Sequence, residues 1–207
     1  GIIRVLHNLS FIEDPTRIFR AIRFEQRYGF RMHQQTEDLI AQALESDLVS
    51  RLSYERLRDE LIFILNEPNP LSALRRMEEL DVLKYIHPEA KLTKETLENL
   101  EKTKQTIDWF KWEDVQDKFG PWLIYYLTLF EPLNPKELRT LSQRLRLTRG
   151  QAEASNLVSE AAPQILRTLG NQPDITPYQI YKMLSPMPTE VLILILAKSS
   201  SEPKRLA

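Results

Sequence analysis

Apolar residues recur every three or four positions along most of this chain, and this spacing predicts α-helices. In the first clear example, residues 15–28, Ile18, Ala21 and Ile22 fall on one side and should face a core. Further helices are predicted over about 36–46, after Ser53, over about 94–117, within "GPWLIYYLTLF", after Thr148 and over about 189–200. Residues 1–7 instead form a short apolar run, which is typical of a β-strand.

Helix start signals support this reading. A polar residue stands before a proline at Asn69–Pro70, Asn134–Pro135 and Thr176–Pro177. The polar side chain can cap free N–H groups of the first turn, where the missing N–H of proline is not needed. Asp14 and Pro15 give the first helix the same start, and Gly29 suits the left-handed residue after its end. The sequence therefore predicts an all-α fold with a short N-terminal strand.

Composition limits the fold classes and the kinds of binding site that this chain can have. The 207 residues include 5 glycines and 13 prolines, which favours helices with sharp stops over a β-sandwich. The absence of cysteine excludes disulfides and thiolate metal sites and agrees with a cytoplasmic location. No apolar stretch reaches the roughly 18 residues of a membrane span, so no membrane partner is expected. The net charge of −1 leaves only a local patch as a candidate for binding nucleic acid.

A row of arginines in "EDPTRIFRAIRFEQRYGF" is the main candidate for chemistry. On a helix, Arg20, Arg23 and Arg27 fall on one stripe with Arg17 at its edge. Guanidinium groups in such a row repel one another unless anions lie between them. Those anions are either ligand phosphates or protein carboxylates, of which the candidates are Glu13, Glu25, Glu55 and Glu60.

The start of this helix favours a ligand. Asp14 and Arg17 lie one helical turn apart, and a carboxylate accepts hydrogen bonds while a guanidinium donates them in a planar fork. Together they match the mixed donor and acceptor edge of a nucleobase. Arg20 and Arg23, farther along, could hold phosphate or sugar groups.

These residues resemble the nucleotide-recognition region of the class II tRNA nucleotidyltransferase and bacterial poly(A) polymerase family. The family pattern is Glu-Asp-x-x-Arg followed by arginines at further steps of three, and it is filled by Glu13, Asp14, Arg17, Arg20 and Arg23. "RLSYERLRDEL" resembles the following motif of the family, with matches at Arg51, Glu55 and Arg56.

The resemblance implies three parts. Residues 1–12 would be a remnant of the catalytic head domain and a linker, 13–66 a neck that selects ATP and possibly CTP, and 67–207 a body that binds the tRNA acceptor arm. It assigns Asp14 and Arg17 to the Watson–Crick edge of the base. It assigns Arg20 and Arg23 to the phosphates or ribose.

The resemblance also implies where catalysis takes place. In this family an Asp-x-Asp pair in the head domain binds Mg²⁺ for attack by a 3′-hydroxyl on the α-phosphate. This chain has no Asp-x-Asp. We therefore expect no catalytic and no metal-binding residue here, and no nucleotide transfer by this piece alone.

Two further groups of residues have assigned roles. Glu55 is expected to pair with an arginine of the first helix, which we favour over direct phosphate contact by Arg51, Glu55 and Arg56. "RTLSQRLRLTRG" contains arginines and no acid, and it is the candidate for binding the tRNA backbone through Arg139, Arg144, Arg146 and Arg149.

The alternative function is a non-catalytic helical adaptor that binds RNA or protein. It explains the helix caps and the apolar core equally well. It does not explain the complete series of arginines that follows the Glu-Asp pair.

Overall fold

The computed structural model describes residues 1–112, 119–171 and 174–199. Residues 113–117 and Ser200, which belong to two of the predicted helices, lie outside the described residues. Within the described part, the chain forms twelve α-helices and one two-stranded sheet, which confirms the all-α prediction. The chain divides into a first unit of residues 1–92 with 144–146, and a second unit of residues 93–143 and from 147 onward.

The first unit contains short strands and five helices. Its elements are β1 (Ile2–Ile3), α1 (Ser10–Glu13), α2 (Thr16–Tyr28), β2 (Arg31–Met32), α3 (Gln34–Glu45), α4 (Tyr54–Leu65) and α5 (Pro70–Glu79). Two 3₁₀ turns cover Val49–Arg51 and Leu83–Tyr85. β1 pairs with β2 in parallel, with Ile2 opposite Arg31 and Ile3 opposite Met32. The predicted strand over residues 1–7 is this short because its partner strand ends where α3 begins.

In the described part of the second unit, the secondary structure is helical. The helices are α6 (Lys94–Trp112), α7 (Pro121–Phe130), α8 (Pro135–Arg144), α9 (Arg149–Glu160), α10 (Ala162–Asn171), α11 (Pro177–Leu184) and α12 (Thr189–Ser199). The sequence pattern missed α10. It follows α9 after the single residue Ala161, and no polar cap or glycine separates the two helices.

Most predicted helix caps form. The side chains of Ser53, Thr148 and Thr176 accept hydrogen bonds from backbone N–H groups of the first turn, and Asn134 does the same for α8. Asn69 precedes α5 as predicted but makes no such side-chain hydrogen bond.

Helix α2 is at the centre of the first unit, where it packs against α4 and α5. Its buried side includes Ile18, Ala21 and Ile22, as the apolar spacing predicts, together with Phe19. This leaves the arginine row on the other sides of the helix. Gly29 ends α2 with a positive φ of 62°, also as predicted.

The core of the second unit is formed by α6, α7 and α12, which pack against one another. Eight of the ten residues of α7, from Leu123 to Phe130, are buried in an unbroken run. In this core the hydroxyl of Thr103 contacts that of Thr128 at 3.0 Å. None of the helices in the described ranges is both long and apolar enough to cross a membrane.

Candidate functional site

Helices α2 and α4 meet along a row of polar and aromatic contacts, which we call the α2–α4 seam. Arg56 Nη2 contacts Thr16 Oγ1 at 3.5 Å, and the Arg23 guanidinium lies 5.3 Å from the centre of the Phe63 ring. Farther along, Arg23 and Arg27 both contact Glu67, with Nη1–Oε1 distances of 3.2 and 3.4 Å. Because residue numbers rise together on both sides of the seam, the two helices run in the same direction.

Asp14 is fixed at the start of α2. Its Oδ1 atom accepts hydrogen bonds from Thr16 N at 3.1 Å, from Thr16 Oγ1 at 2.7 Å and from Arg56 Nη2 at 2.7 Å. Burial, the largest influence, raises the pKa of Asp14, but hydrogen bonds from Thr16 and the charge of Arg56 outweigh it, so the pKa is lowered. The side chain is therefore an ionised carboxylate whose Oδ2 atom has no hydrogen-bond partner among the described residues.

Arg17 is held on one side and free on the other. Its Nη1 atom donates to the carbonyl oxygen of Ser10 at 3.1 Å and lies 3.4 Å from Glu13 Oε2. The Nε and Nη2 atoms make no hydrogen bond with the part of the chain that the structure describes. The predicted supporting residue Glu13 thus contacts the guanidinium that it was expected to support, and one edge of the planar fork stays available.

A pocket of about 300 Å³ lies beside these residues. Phe11, Ala21 and Phe24 contribute apolar surface to it, and Arg17 and Arg20 contribute positive charge. Arg20 is exposed, and within the described ranges its side chain has no hydrogen bond and no ion pair. Asp14 is not among the lining residues, so the pocket brings together two of the four predicted nucleotide-binding side chains.

Arg23 is more firmly engaged by the protein than the other arginines of the row. Its side chain is 14% exposed, pairs with Glu67 and lies against the rings of Phe24 and Phe63, at 4.5 and 5.3 Å. The sequence reading missed Glu67, which follows the end of α4. No local signal identifies it, because the contact depends on how α2 and α4 pack.

The residues of the second motif, "RLSYERLRDEL", contact partners other than the predicted ones. Glu55 Oε1 lies 2.7 Å from Arg146 Nε, so the expectation that Glu55 pairs with an arginine of the first helix is wrong. Arg56, the next residue along α4, takes that place by contacting Asp14. Successive residues of a helix point about 100° apart, which is why Glu55 and Arg56 reach different neighbours. Arg51 is exposed in a 3₁₀ turn, and its side chain makes no hydrogen bond with other described residues.

Residues 144–146 form a basic turn beside the start of α4. The Arg144 guanidinium lies 4.3 Å from the centre of the Tyr54 ring, and its Nη2 atom contacts the Tyr54 hydroxyl. Arg146 has a positive φ of 49°, and its carbonyl oxygen accepts a hydrogen bond from Arg58 Nη1 at 3.2 Å. A non-glycine residue in this conformation needs such support from its surroundings.

The other two arginines predicted to bind RNA belong to the second unit. Arg139 Nη1 contacts Glu160 Oε1 at 2.8 Å, whereas Arg149, at the start of α9, has no hydrogen-bond or ion-pair partner in the described ranges. The sequence reading did not anticipate that Glu55 and Glu160 neutralise two members of the basic patch, since both acids lie outside it in sequence.

Glu25 belongs to a separate ion-pair cluster. Its Oε1 atom accepts a hydrogen bond from Met32 N at 2.9 Å, and its Oε2 atom lies 3.0 Å from Arg76 Nε. Arg76 also contacts Glu37 and Glu79. The cluster links α2, α3 and α5, so Glu25 serves the fold and does not neutralise the arginine row. Over residues 1–112, 119–171 and 174–199, no group of three acids or histidines could hold a metal ion.

Comparison with known proteins places these features in context. Residues 29–94 match a family model described as a probable RNA and SrmB-binding site of polymerase A. The chain is 38% identical over 207 residues to the A-adding tRNA nucleotidyltransferase of Geobacter sulfurreducens, across 98% of this chain and 24% of that protein. It is 27% identical over 203 residues to the A-adding enzyme of Aquifex aeolicus, with the same two coverages.

Solved structures match over the same length. A CCA-adding enzyme in complex with ATP has a TM-score of 0.81 and 35% identity, across 98% of this chain and 48% of that one. The Thermotoga maritima CCA-adding enzyme in complex with tRNA has a TM-score of 0.78 and 34% identity, across 97% and 48%. The chain thus spans about a quarter of those two curated relatives and about half of these solved chains.

Proposed function

Because this chain is related over nearly its whole length to part of the A-adding and CCA-adding tRNA nucleotidyltransferases, we propose that it forms the nucleotide-selecting and tRNA-binding part of such an enzyme. Its first unit selects the incoming nucleotide. Its basic residues bind the tRNA. The parent protein adds A, or C and A, to tRNA 3′ ends.

The arrangement of Asp14 and Arg17 carries the proposal. Each side chain is fixed at one end by the protein and keeps free hydrogen-bonding atoms at the other, namely Oδ2 of Asp14 and Nε and Nη2 of Arg17. A fixed acceptor and a fixed donor fork, one helical turn apart, suit a base edge that carries both an amino group and a ring nitrogen. Adenine and cytosine both have such an edge.

Nucleotide phosphates suit the neighbouring pocket. Arg20 is exposed at the pocket and makes no ion pair with the described residues, and a guanidinium in that state readily binds phosphate. Arg23 has less freedom because it is held between two rings and Glu67, so we assign it to supporting Arg20 or to the ribose. ATP and CTP, which occur in complexes of two structurally similar CCA-adding enzymes, are the proposed ligands.

A titration of the full-length natural protein with ATP and with CTP tests this assignment. Arg17→Ala should weaken both affinities by about 10- to 100-fold, since it removes charge-assisted hydrogen bonds. Arg27→Ala is the matched control, because Arg27 lies on the same helix, pairs with Glu67 and does not line the pocket. Equal losses in the two variants, or no binding by the unaltered protein, would contradict the proposed site and favour the adaptor.

Catalysis is proposed to require residues outside this chain. The relatives are longer, and the family resemblance places an Asp-x-Asp pair and its Mg²⁺ in a head domain. We therefore expect this chain alone not to incorporate radiolabelled ATP into a tRNA ending in CC. Robust incorporation by the chain alone would refute this part of the proposal. A cytoplasmic location stays a prediction.

Binding of the tRNA backbone is assigned to Arg139, Arg144, Arg146 and Arg149. The tRNA complex of a structurally similar enzyme supports a tRNA partner, and the acceptor arm is the part we propose. Arg149 has no partner in the described ranges and should contribute most, while Glu160 and Glu55 partly neutralise Arg139 and Arg146. Arg149→Ala should weaken tRNA binding and reduce its dependence on salt concentration. An unchanged salt dependence would remove Arg149 from the interface.

A further inference from the structure

The spacing of contacts along the α2–α4 seam identifies a pair of residues that face each other without being joined. Thr16 meets Arg56, Arg23 meets Phe63, and Arg27 meets Glu67, and each pair is separated by 40 positions. Between the first and second pairs, the same separation places Glu60 opposite Arg20. Glu60 therefore lies in the middle of the seam, on the side of α4 that faces α2.

Neither the side chain of Glu60 nor that of Arg20 has a hydrogen-bond partner among the described residues. The Oε2 atom of Glu60 is buried and has no hydrogen-bond partner, and Arg20 is exposed without an ion pair in the described ranges. Burial raises the pKa of the Glu60 carboxyl, while the charges of Arg23 and Arg20 oppose the increase. A buried acceptor without a donor destabilises a fold, and an apolar residue would pack there at less cost. Its presence calls for another explanation than packing.

Direct contact between Glu60 and a nucleotide is disfavoured by position and by charge. Glu60 is not among the residues that line the pocket, whereas Arg20 is. A carboxylate also repels phosphates. An effect of Glu60 on a phosphate-bearing ligand would therefore pass through a neighbouring cation, and Arg20 is the one that faces it and lines the pocket.

We propose that Glu60 is a positioning residue of the nucleotide site, which attracts the guanidinium of Arg20 and holds it at the pocket where it meets a nucleotide phosphate. This inference rests on the proposed function and adds to it the residue that orients the phosphate-binding side chain. Arg20 then shares its donors between two anions, the Glu60 carboxylate and the phosphate. The planar fork of a guanidinium allows this, since it offers five N–H groups.

The test compares ATP with adenosine, which lacks the phosphates. Both are titrated into the full-length natural protein and followed by NMR, for the unaltered protein and for Glu60→Gln, Arg20→Met and the double variant. Glu60→Gln should weaken ATP binding by about five- to tenfold and leave adenosine binding unchanged. The double variant should lose no more than Arg20→Met, because Glu60 acts through Arg20.

Asp59→Asn is the control on the same helix, since Asp59 is exposed and contacts its neighbour Arg58. It should leave both affinities unchanged. The variant Glu60→Asp keeps the charge on a shorter side chain and should recover part of the ATP affinity lost in Glu60→Gln. Thermal unfolding of each variant shows whether the fold is intact, and Glu60→Gln should unfold at the same or a higher temperature.

Three outcomes would overturn the inference. Equal losses for ATP and adenosine would show a general defect of the site, and additive losses in the double variant would show that Glu60 does not act through Arg20. An unchanged ATP affinity in Glu60→Gln, alongside a weakened one in Arg17→Ala, would reject the role of Glu60 and leave the proposed function standing. Absence of ATP binding by the unaltered protein would reject both.

Discussion

The α2–α4 seam of the first unit and the α6–α7–α12 core of the second unit are both helix contacts, but their chemistry differs. In the seam, half-buried charged groups such as Arg23, Glu60 and Glu67 lie between the helices. In the core, apolar side chains fill the contact, and the buried polar groups include hydroxyls such as those of Thr103 and Thr128. Among the residues that the structure describes, no charged side chain of the second unit is fully buried.

The difference between the two contacts bears on stability. Charged groups lose hydration when two helices come together, and well-packed apolar residues usually give equal or greater stability. The second unit follows that rule. The first unit departs from it along the seam, where Arg23 is one of the residues that the family resemblance assigns to the nucleotide. We therefore interpret the seam as built for a ligand at some loss of stability.

The largest expected effect is in the apolar core. Phe130 is 1% exposed and its ring centre lies 4.9 Å from that of Tyr126. Phe130→Ala should lower the free energy of unfolding by about 3–5 kcal/mol, because it removes buried apolar surface and leaves a cavity. Urea unfolding measures the change, and Leu196→Ala, at a residue 39% exposed on α12, is the control with a much smaller loss. Similar losses in both would argue against this core.

The second-largest loss of stability is expected in the ion-pair cluster of Glu25 and Arg76 in the first unit. Arg76→Met leaves the carboxylate of Glu25, whose side chain is 8% exposed, without its guanidinium. Removing one partner of a buried pair costs about 3 kcal/mol, and the double variant with Glu25→Gln should recover part of the loss. Arg139→Met in the second unit is the matched control, because its pair with Glu160 is exposed and should contribute about 0.5 kcal/mol or less. If Arg76→Met lost as little stability as Arg139→Met, the expected difference between a buried and an exposed ion pair would be contradicted.

A smaller change in the free energy of unfolding is expected at Glu60, where the substitution should raise stability. Because burial raises its pKa in the folded state, the folded protein binds the proton more tightly than the unfolded chain, and stability falls as pH rises through the folded-state pKa. Glu60→Gln should remove this fall and raise the free energy of unfolding at pH 7 by up to about 1 kcal/mol. Unfolding in urea between pH 4 and 8 measures the change. A lower stability of the variant at pH 7 would mean that Glu60 supports the fold.

The smallest expected change in the free energy of unfolding is at Asp14, where the substitution should lower stability. Its pKa is lowered in the fold, since the hydrogen bonds from Thr16 and the charge of Arg56 outweigh burial. Its contribution is therefore present above the unfolded-state pKa near 4 and is lost as pH falls through the folded-state value. Asp14→Asn should be less stable than the unaltered protein at neutral pH by about 0.5 kcal/mol, with the difference vanishing in acid. A constant difference at all pH values would contradict this assignment.

Much of the site was visible in the sequence because it follows from local rules. The spacing of Arg17, Arg20 and Arg23 fixes their order along α2, and the alternation with Ile18 and Ile22 fixes which side of the helix is buried. The resemblance added roles for these residues, and those roles stay predictions. The neck–body boundary after residue 66 also stays a prediction, whereas the compact units divide after Leu92.

The sequence by itself determined most of the helical segments, where most of them begin and that arginines line one side of α2, because periodicity and capping depend on neighbouring residues. Only the tertiary structure decided which acid meets which arginine: Arg56 with Asp14, Glu67 with Arg23, and Arg146 with Glu55. Those pairs join residues about 40 to 90 positions apart, so they depend on helix packing. The same packing buried the Oε2 atom of Glu60 without a hydrogen-bond partner among the described residues, a feature that no local pattern encodes.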